Sequence, residues 1–400
     1  MNHVTRSLTI SLLCCLLLAA CAPTIPAATL TLVPPTDTSI PLANNTTVPH
    51  KDTSLPLTAA TINPSPEPTE DVVSKIDQGL SFFTKQEVFT GAVLVARDGE
   101  VLLSQGYSLA DRDKNIPNTP QTRFRLNSLT KQFTAMAILV LQKEGRLNVE
   151  NPICRYISEC PAAWQEITIH HLLTHTSGIT DFSSLPDFDA KKGSPSTPLE
   201  TMARFKDLPL DFKPGKNWSY SNSGYIVLGY IIEQASGQSY ESFLQQSIFD
   251  PLQMKNTGYD HNDGSLAIGY TNVYSHWEKA AYIDMSLPYA AGALYSTVED
   301  LYLWDQALYT EQLLPKELMD LMFSAQAKIP NRNLSYGYGW FVGESNNRQV
   351  AFHGGGPYGG FVAEIDRYPA DKVTIIVLSN RDAKGIVDVI NLISKYLFEE

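Results

Sequence analysis

Residues 91–107 read GAVLVARDGEVLLSQGY, and this stretch is the clearest fold signal in the chain. An apolar run at 91–96 precedes Asp98-Gly99, and a second run returns at 101–107. Because Asp-Gly between apolar runs is typical of a tight hairpin turn, the stretch predicts two antiparallel strands. Three more strands are predicted near the other end of the chain, at 349–353, 360–366 and 373–378.

Between these two groups of strands the apolar spacing is mostly that of helices. The predicted helices cover 128–144, 168–175, 199–207, 223–236, 239–249 and 298–309, with outer helices at 72–88 and 386–397. The expected fold class is therefore α/β of the α+β type, with one antiparallel sheet built from both chain ends and flanked by helices. The central helices are expected to form a second, mostly helical lobe.

The composition is that of a globular enzyme-sized protein. Hydrophobic residues make up 43% of the 400 residues and charged residues 18%, which excludes a mainly disordered chain. The net charge of -12 argues against nucleic-acid binding, which needs a basic surface to neutralise phosphates. No apolar run after the N-terminal segment approaches the roughly 20 residues that span a bilayer.

The first 20 residues have the pattern of a signal peptide. Arg6 supplies the positive charge, and the apolar run at 8–20 is too short to span a membrane comfortably. The run ends in Leu18-Ala19-Ala20-Cys21, which resembles the lipobox of bacterial lipoproteins, whose cysteine is diacylated. The alternative is an ordinary cleaved signal peptide with an incidental cysteine. We expect removal of 1–20, lipidation of Cys21, and an extracytoplasmic protein anchored to a bacterial membrane.

Residues 21–70 are rich in proline and threonine, and they predict a disordered tether that precedes a globular domain at 71–400. Two cysteines, Cys154 and Cys160, lie in that domain. An even pair in an exported protein is compatible with a disulfide and equally with two buried free thiols, and the sequence leaves both open.

Three short motifs follow one another in the globular domain, and the first is Ser128-Leu129-Thr130-Lys131. A serine and a lysine three residues apart lie on one face of a helix. The N-terminus of that helix would stabilise a developing alkoxide on Ser128. Lys131 could accept a proton only if burial or a nearby cation lowers its pKa. The alternative is a helix cap followed by a surface lysine.

The second motif is Tyr220-Ser221-Asn222, which lies on a loop before an apolar helix. A tyrosine can relay a proton, and an asparagine amide can hold a substrate carbonyl and orient a lysine. Tyr270-Thr271-Asn272 fits the same pattern, but the first site is preferred because a helix follows its loop.

The third motif is His353-Gly354-Gly355-Gly356, at the end of a predicted strand. Glycines at this place allow a substrate backbone to come close, and the Gly356 N–H could point at a carbonyl oxygen. Tyr358 follows the glycines and is predicted to line the cleft. The alternative is a glycine-rich strand bend with a loop histidine.

The three motifs in this order resemble the serine β-lactamase and penicillin-binding-protein superfamily, in its class C-like branch, which includes D-alanyl-D-alanine carboxypeptidases and esterases. Four other stretches resemble that family over roughly 75–400, namely 124–128, 171–178, 291–294 and 336–340. The resemblance implies the fold proposed above and a serine hydrolase.

The resemblance also implies roles for individual residues. Ser128 would become the acyl-enzyme, Lys131 and Tyr220 would share the proton transfers, and the N–H groups of Ser128 and Gly356 would form the oxyanion hole. The implied substrate-binding residues are Asn222, His353, Gly355, Gly356 and Tyr358. His353 replaces the lysine of classic β-lactamases, and a histidine is largely neutral above its usual pKa of about 6.5. This favours peptidase or esterase chemistry.

The expected partner is a small-molecule or cell-wall peptide substrate, with no cofactor and no metal. His171 and His175 have the spacing of helical zinc ligands, but the glutamate of the protease motif is missing and packing is the expected role. A β-lactamase and a penicillin- or peptidoglycan-binding sensor without turnover remain alternatives, and the oligomeric state stays open.

Overall fold

The computed structural model describes residues 70–273, 276–382 and 385–398. The signal segment 1–20, Cys21 and all but the last residue of the tether lie outside the described residues, so lipidation and tethering stay predictions. Within the described part of the chain, no helix is both long enough and apolar enough to cross a bilayer.

An eight-stranded antiparallel sheet forms the framework of the described residues. Its strands are β1 Gly91–Arg97, β2 Glu100–Tyr107, β3 Ala327–Lys328, β4 Leu334–Tyr336, β5 Phe341–Ser345, β6 Arg348–Gly355, β7 Val362–Tyr368 and β8 Val373–Ser379. Their spatial order is β3-β4-β5-β6-β7-β8-β1-β2, so β1 from one end of the chain pairs with β8 from the other. The predicted sheet is confirmed, and β3, β4 and β5 extend it beyond the five strands indicated by the sequence.

Successive side chains of β1 point to opposite faces of the sheet, and both faces are apolar. Val93 pairs with Val377 of β8, and both belong to the face that packs on the two terminal helices. Leu94 and Ala96 point the other way, into the core shared with the helical lobe. Because side chains alternate in a strand, a run with no polar residue is the pattern of a strand that is buried on both faces.

The helices cover both faces of the sheet and build the second lobe. Their bounds are α1 Glu70–Lys85, α2 Thr130–Lys143, α3 Ile169–Leu173, α4 Phe188–Lys191, α5 Pro198–Ala203, α6 Asn222–Ser236, α7 Tyr240–Leu244, α8 Asp250–Leu252, α9 Val298–Ala307, α10 Lys316–Phe323 and α11 Ile386–Phe398. Helix α2 is buried from its first residue to Leu141 and packs against α6. These two helices therefore hold the first two sequence motifs against each other.

Short pairings and one covalent link complete the lobe. The disulfide that the sequence left open is formed in the structure, where it joins Cys154 to Cys160 with Cα atoms 5.3 Å apart. Short strands pair outside the main sheet, at Leu109–Asp111 with Ile116–Pro117, at Tyr270–Val273 with His276–Lys279, and among Phe124–Arg125, Gly258–Tyr259 and Leu294–Ser296.

Two carboxyl groups are buried on one face of β7. Glu364 and Asp366 are two residues apart, so both point to the face that carries Val362 and Tyr368. Each is only 7% exposed, and Oδ1 of Asp366 has no hydrogen-bond partner among the described residues. Burial raises the pKa of Asp366 to about 7, and burial together with Asp366 raises the pKa of Glu364 well above its ordinary value. The fold therefore favours the protonated forms.

We predict that Asp366→Asn removes part of the pH dependence of stability. The folded protein keeps the Asp366 proton up to about pH 7, whereas the unfolded chain loses it near pH 4. Its contribution to the free energy of unfolding is therefore complete below about pH 4 and is lost as the pH rises through about 7. At pH 8 the variant should be more stable than the wild type by roughly 1–3 kcal/mol.

The measurement is urea unfolding between pH 4 and pH 8, with Asp98→Asn as the control because the Asp98 side chain is 62% exposed. Equal pH dependence in the Asp366→Asn variant and the wild type would contradict the prediction.

Candidate active site

Ser128 lies in a tight turn, Asn127–Leu129, that runs directly into helix α2. The preceding Asn127 has a positive φ of 48°, and its Nδ2 donates to the carbonyl oxygens of Tyr358 at 3.2 Å and Phe361 at 3.0 Å. This residue therefore ties the start of α2 to the loop after β6. Ser128 itself is only partly buried, as its predicted role as a nucleophile requires.

Lys131 is fully buried below Ser128. Its Nζ lies 3.2 Å from Ser128 Oγ, 2.8 Å from Asn222 Oδ1 and 2.9 Å from the carbonyl oxygen of Ala291. The last two atoms can only accept hydrogen bonds, whereas a hydroxyl can donate or accept. A neutral amine that donates to both oxygens would therefore present its lone pair to the Ser128 hydroxyl. The alternative of a surface lysine is wrong.

Tyr220 and Asn222 come from the loop at the start of α6. The hydroxyl of Ser221 caps that helix by accepting from Gly224 N at 3.4 Å. Nζ of Lys131 lies 4.9 Å from the centre of the Tyr220 ring. The second and first motifs therefore meet at the same amine.

The competing motif at Tyr270 lies elsewhere. Tyr270 begins a short strand, Tyr270–Val273, and its hydroxyl accepts a hydrogen bond from the backbone N–H of Arg112 at 2.7 Å. The structure gives it no contact with Ser128 or Lys131 among the described hydrogen bonds.

The glycines at the end of β6 contact the backbone of the serine turn. A Cβ added to Gly355 would come within 2.0 Å of the Leu126 carbonyl oxygen and 2.9 Å of Ser128 N. Only a glycine allows this approach, which places the next residue, Gly356, beside the serine turn. This contact between the strand end and the serine turn therefore brings together the two predicted oxyanion-hole donors, which are the N–H groups of Ser128 and Gly356.

His353 is buried behind these groups and is 1% exposed. Its Nδ1 donates to the carbonyl oxygen of Gly354 at 2.7 Å, so that Nε2 accepts from the Tyr336 hydroxyl at 3.0 Å. Burial lowers the pKa of His353 to about 3. The ring is neutral and both nitrogens are occupied. The structure therefore places His353 behind the strand end with both ring nitrogens hydrogen-bonded to protein groups, and its contact with substrate stays a prediction.

A pocket with mostly apolar walls opens beside Ser128. Tyr358 lines it, as the sequence predicts, and its ring packs edge-on against Phe188 at 5.8 Å. None of the lining residues is a lysine or an arginine. The lining residues are Asn127, Ser128, Phe182, Ser183, Phe188, Asn222, Ile283, Leu287, Pro288, Ala291, Gly292 and Tyr358.

Two residues that contact the second motif in space, Asp181 and Ser183, were not predicted from the sequence. Oδ1 of Asp181 accepts from Asn222 N at 3.1 Å, and Oδ2 accepts from Asn222 Nδ2 at 3.3 Å and from Ser183 Oγ at 2.5 Å. Burial raises the pKa of Asp181, while the hydrogen bonds from Ser183 and Asn222 oppose that change. The available signal was its position three residues after the family-like stretch 171–178.

His175 supports the tyrosine of the second motif. Its ring stacks on Tyr220 with centres 4.3 Å apart, and its Nδ1 accepts from Ser221 N at 3.1 Å. His171 instead uses Nδ1 to accept from Thr168 N at the start of α3. Among the described residues no group of three or more metal-ligating side chains is arranged to hold an ion.

Comparison with known proteins agrees with this geometry. The family model described as Beta-lactamase matches residues 71–391. The chain belongs to the β-lactamase family. A relative in Bacillus subtilis (strain 168), the putative penicillin-binding protein PbpX, is 32% identical over 68% of this chain and 68% of its own length.

Two solved structures have a similar fold. The penicillin-binding protein from Bacillus halodurans has a TM-score of 0.70 and 26% identity, and the match covers 80% of this chain and 98% of that chain. A D-stereospecific amidohydrolase from Streptomyces sp. has a TM-score of 0.69 and 25% identity, covering 81% and 98%. The protein is a serine hydrolase of the β-lactamase family.

We predict that Gly355→Ala reduces acylation of the enzyme by at least about 100-fold, because the new Cβ forces the strand end away from Ser128 and displaces an oxyanion-hole donor. The rate of labelling by a fluorophosphonate measures this loss. Gly193→Ala is the control, since its Cβ would meet ordinary contacts at 3.7 Å or more. Labelling at the wild-type rate in Gly355→Ala would show that the strand end does not position the oxyanion.

Proposed function

We propose that the protein hydrolyses an amide or ester bond through an acyl intermediate on Ser128, with a D-Ala-D-Ala-type peptide or a carboxylic ester as substrate. The observation that carries the proposal is the 3.2 Å contact between Ser128 Oγ and Lys131 Nζ. Because Asn222 Oδ1 and the Ala291 carbonyl oxygen are both acceptors, the amine can donate to them and still take the serine proton.

The geometry supports the following first half-reaction. Neutral Lys131 accepts the hydroxyl proton while Ser128 Oγ attacks the substrate carbonyl carbon. The N–H groups of Ser128 and Gly356 stabilise the negative oxygen of the tetrahedral intermediate. Lys131 and Tyr220 return the proton to the leaving amine or alcohol, and the scissile C–N or C–O bond breaks. An ester between the acyl group and Oγ remains.

The second half-reaction reverses these proton transfers with water. Water attacks the acyl-ester carbon and gives its proton to the Lys131 and Tyr220 pair, which returns it to Ser128 Oγ. The C–Oγ bond breaks, a carboxylic acid leaves, and the resting enzyme is restored. No step needs a cofactor.

The pocket beside Ser128 supports an uncharged substrate group. Its walls are formed largely by Phe182, Phe188, Ile283, Leu287 and Pro288. The cavity measures about 30 Å³, so a small apolar group of the acyl chain would be desolvated there. The gain is about 25 cal/mol per Å² buried.

The neutral His353 argues against dedicated β-lactamase activity. Its low pKa leaves no charge at the position where classic β-lactamases carry lysine, and that charge helps to hold the substrate carboxylate. The D-stereospecific activity named for the Streptomyces neighbour supports an amide next to a D-residue as one substrate class.

We further propose that Cys21 carries the lipid anchor of an extracytoplasmic enzyme, on the basis of the lipobox-like sequence before it. Cys21→Ser should abolish incorporation of a labelled fatty acid and release the protein from the membrane fraction. Labelling that persists in this variant would contradict the anchor.

We predict that a fluorophosphonate adds once to the folded protein, at Ser128, because among the residues that the structure describes only this hydroxyl lies beside a buried lysine amine. Intact-mass spectrometry should show one adduct in the wild type and in the surface variant Ser265→Ala, and none in Ser128→Ala. An adduct that survives Ser128→Ala would overturn the assignment.

Replacement of Lys131 by arginine should reduce turnover of a p-nitrophenyl ester by roughly 10³-fold, because a guanidinium stays charged and cannot accept the serine proton. Lys143→Arg is the matched control, since Lys143 lies in the same helix and bonds to the Leu313 carbonyl oxygen. Wild-type turnover in Lys131→Arg would contradict the base role.

The same assay with a D-Ala-D-Ala peptide, penicillin and nitrocefin separates the alternatives. Steady turnover of peptide or ester supports the proposal, faster turnover of nitrocefin identifies a β-lactamase, and a single stoichiometric burst identifies a sensor.

A further inference from the structure

Asp181 determines which end of the Asn222 amide faces the catalytic lysine, and we propose it as a positioning residue of the active site. The inference rests on the proposed function, in which Lys131 must donate to Asn222 in order to offer its lone pair to Ser128.

The contacts of Asp181 are made by four donors. The Ser183 backbone N–H at 3.4 Å and its hydroxyl at 2.5 Å donate from one side, and the Asn222 backbone N–H at 3.1 Å and side-chain amide at 3.3 Å donate from the other. An ionised carboxylate can only accept. The NH₂ end of Asn222 must therefore face Asp181, and its oxygen must face Lys131.

The Asn222 amide is held by a second acceptor on the same side. Its Nδ2 also lies 3.3 Å from Ser183 Oγ, whose own proton is directed to Asp181. On the opposite side, Oδ1 accepts from Lys131 at 2.8 Å. A flipped amide would lose both contacts to Nδ2 and would place an NH₂ group against the amine.

The segment that carries Asp181 is itself tied to the start of α6. Ser221 Oγ donates to the Ile179 carbonyl oxygen at 3.0 Å, and Ser223 Oγ donates to the Thr180 carbonyl oxygen at 2.8 Å. These bonds hold Asp181 in place independently of the substrate.

The test replaces Asp181 by asparagine, which has nearly the same shape but gains a donor. The new amide can donate to Asn222 Oδ1, so the Asn222 amide can turn its NH₂ group towards Lys131. We expect kcat for a p-nitrophenyl ester to fall by about 10- to 100-fold, while KM changes by less than about threefold.

The acid limb of the pH–rate profile should also move to lower pH, because the ammonium form of Lys131 loses an acceptor and a nearby negative charge. The control is Asp189→Asn, on an exposed side chain of the same lobe, which should leave both readouts unchanged.

A double-mutant cycle with Asn222→Ala decides whether Asp181 acts through the amide. If it does, Asp181→Asn should lower kcat much less in the Asn222→Ala background than in the wild type. The proposal would be overturned if Asp181→Asn lowered kcat by the same factor in both backgrounds, or if the acid limb stayed at its wild-type pH. Asp181 would then be a purely structural residue.

A readout without turnover separates this inference from the proposed function. In ¹H–¹⁵N spectra, the Asn222 side-chain amide should be protected from exchange in the wild type and should shift in Asp181→Asn. An unshifted, unprotected amide overturns the inference, whereas absence of a Ser128 adduct in the wild type overturns only the proposed function. If Asp181→Asn fails to fold, Ser183→Ala, which removes one amide acceptor, should give a smaller change in the same spectrum.

Discussion

The buried amine of Lys131 is the point on which the site depends. It joins helix α2 to the start of α6 through Asn222 and to a third segment through the Ala291 carbonyl oxygen, and it lies beside the Ser128 hydroxyl. Burial without these oxygens would cost several kcal/mol, because a polar group removed from water needs partners. The positions of the three segments therefore depend on one another. A shift of any one of them removes both the support of the amine and the base of the reaction.

The surroundings of Lys131 keep other groups neutral. Burial is the main cause that lowers the pKa values of both His175 and His353. Neutral imidazoles can pack closely against Tyr220, whose ring lies 4.3 Å from that of His175. Asp181 supplies a negative charge on the other side of Asn222. The Asn222 amide thus lies between the amine of Lys131 and the carboxylate of Asp181, and both groups determine its orientation.

The sequence predicts the framework and the first motif well, because both depend on local pattern. The hairpin at 91–107 and the three strands predicted near the other end are mainly apolar stretches between turn residues, and the serine and lysine are only one helical turn apart. Strands β3 and β4 were missed because they have two and three residues, too few for any periodicity. Asp181 was missed because its function comes from Asn222, which lies 41 residues further along the chain. The burial of His353 was not foreseen because burial at a strand end has no local signature in the sequence.

The pairing of β1 with β8 joins the first strand of the sheet in chain order to the last one. A chain that stops before Val373 lacks the strand that β1 needs on its inner side, and it lacks the terminal helix that covers that face. Contacts of such long sequence separation form late, because the loop entropy must be lost before they contribute. The ribosome must therefore pass β8 and α11 before the sheet face that carries Val93 and Val377 can be covered. Ser128 and Lys131 are therefore synthesised long before the sheet that carries Gly355 to the serine turn is complete.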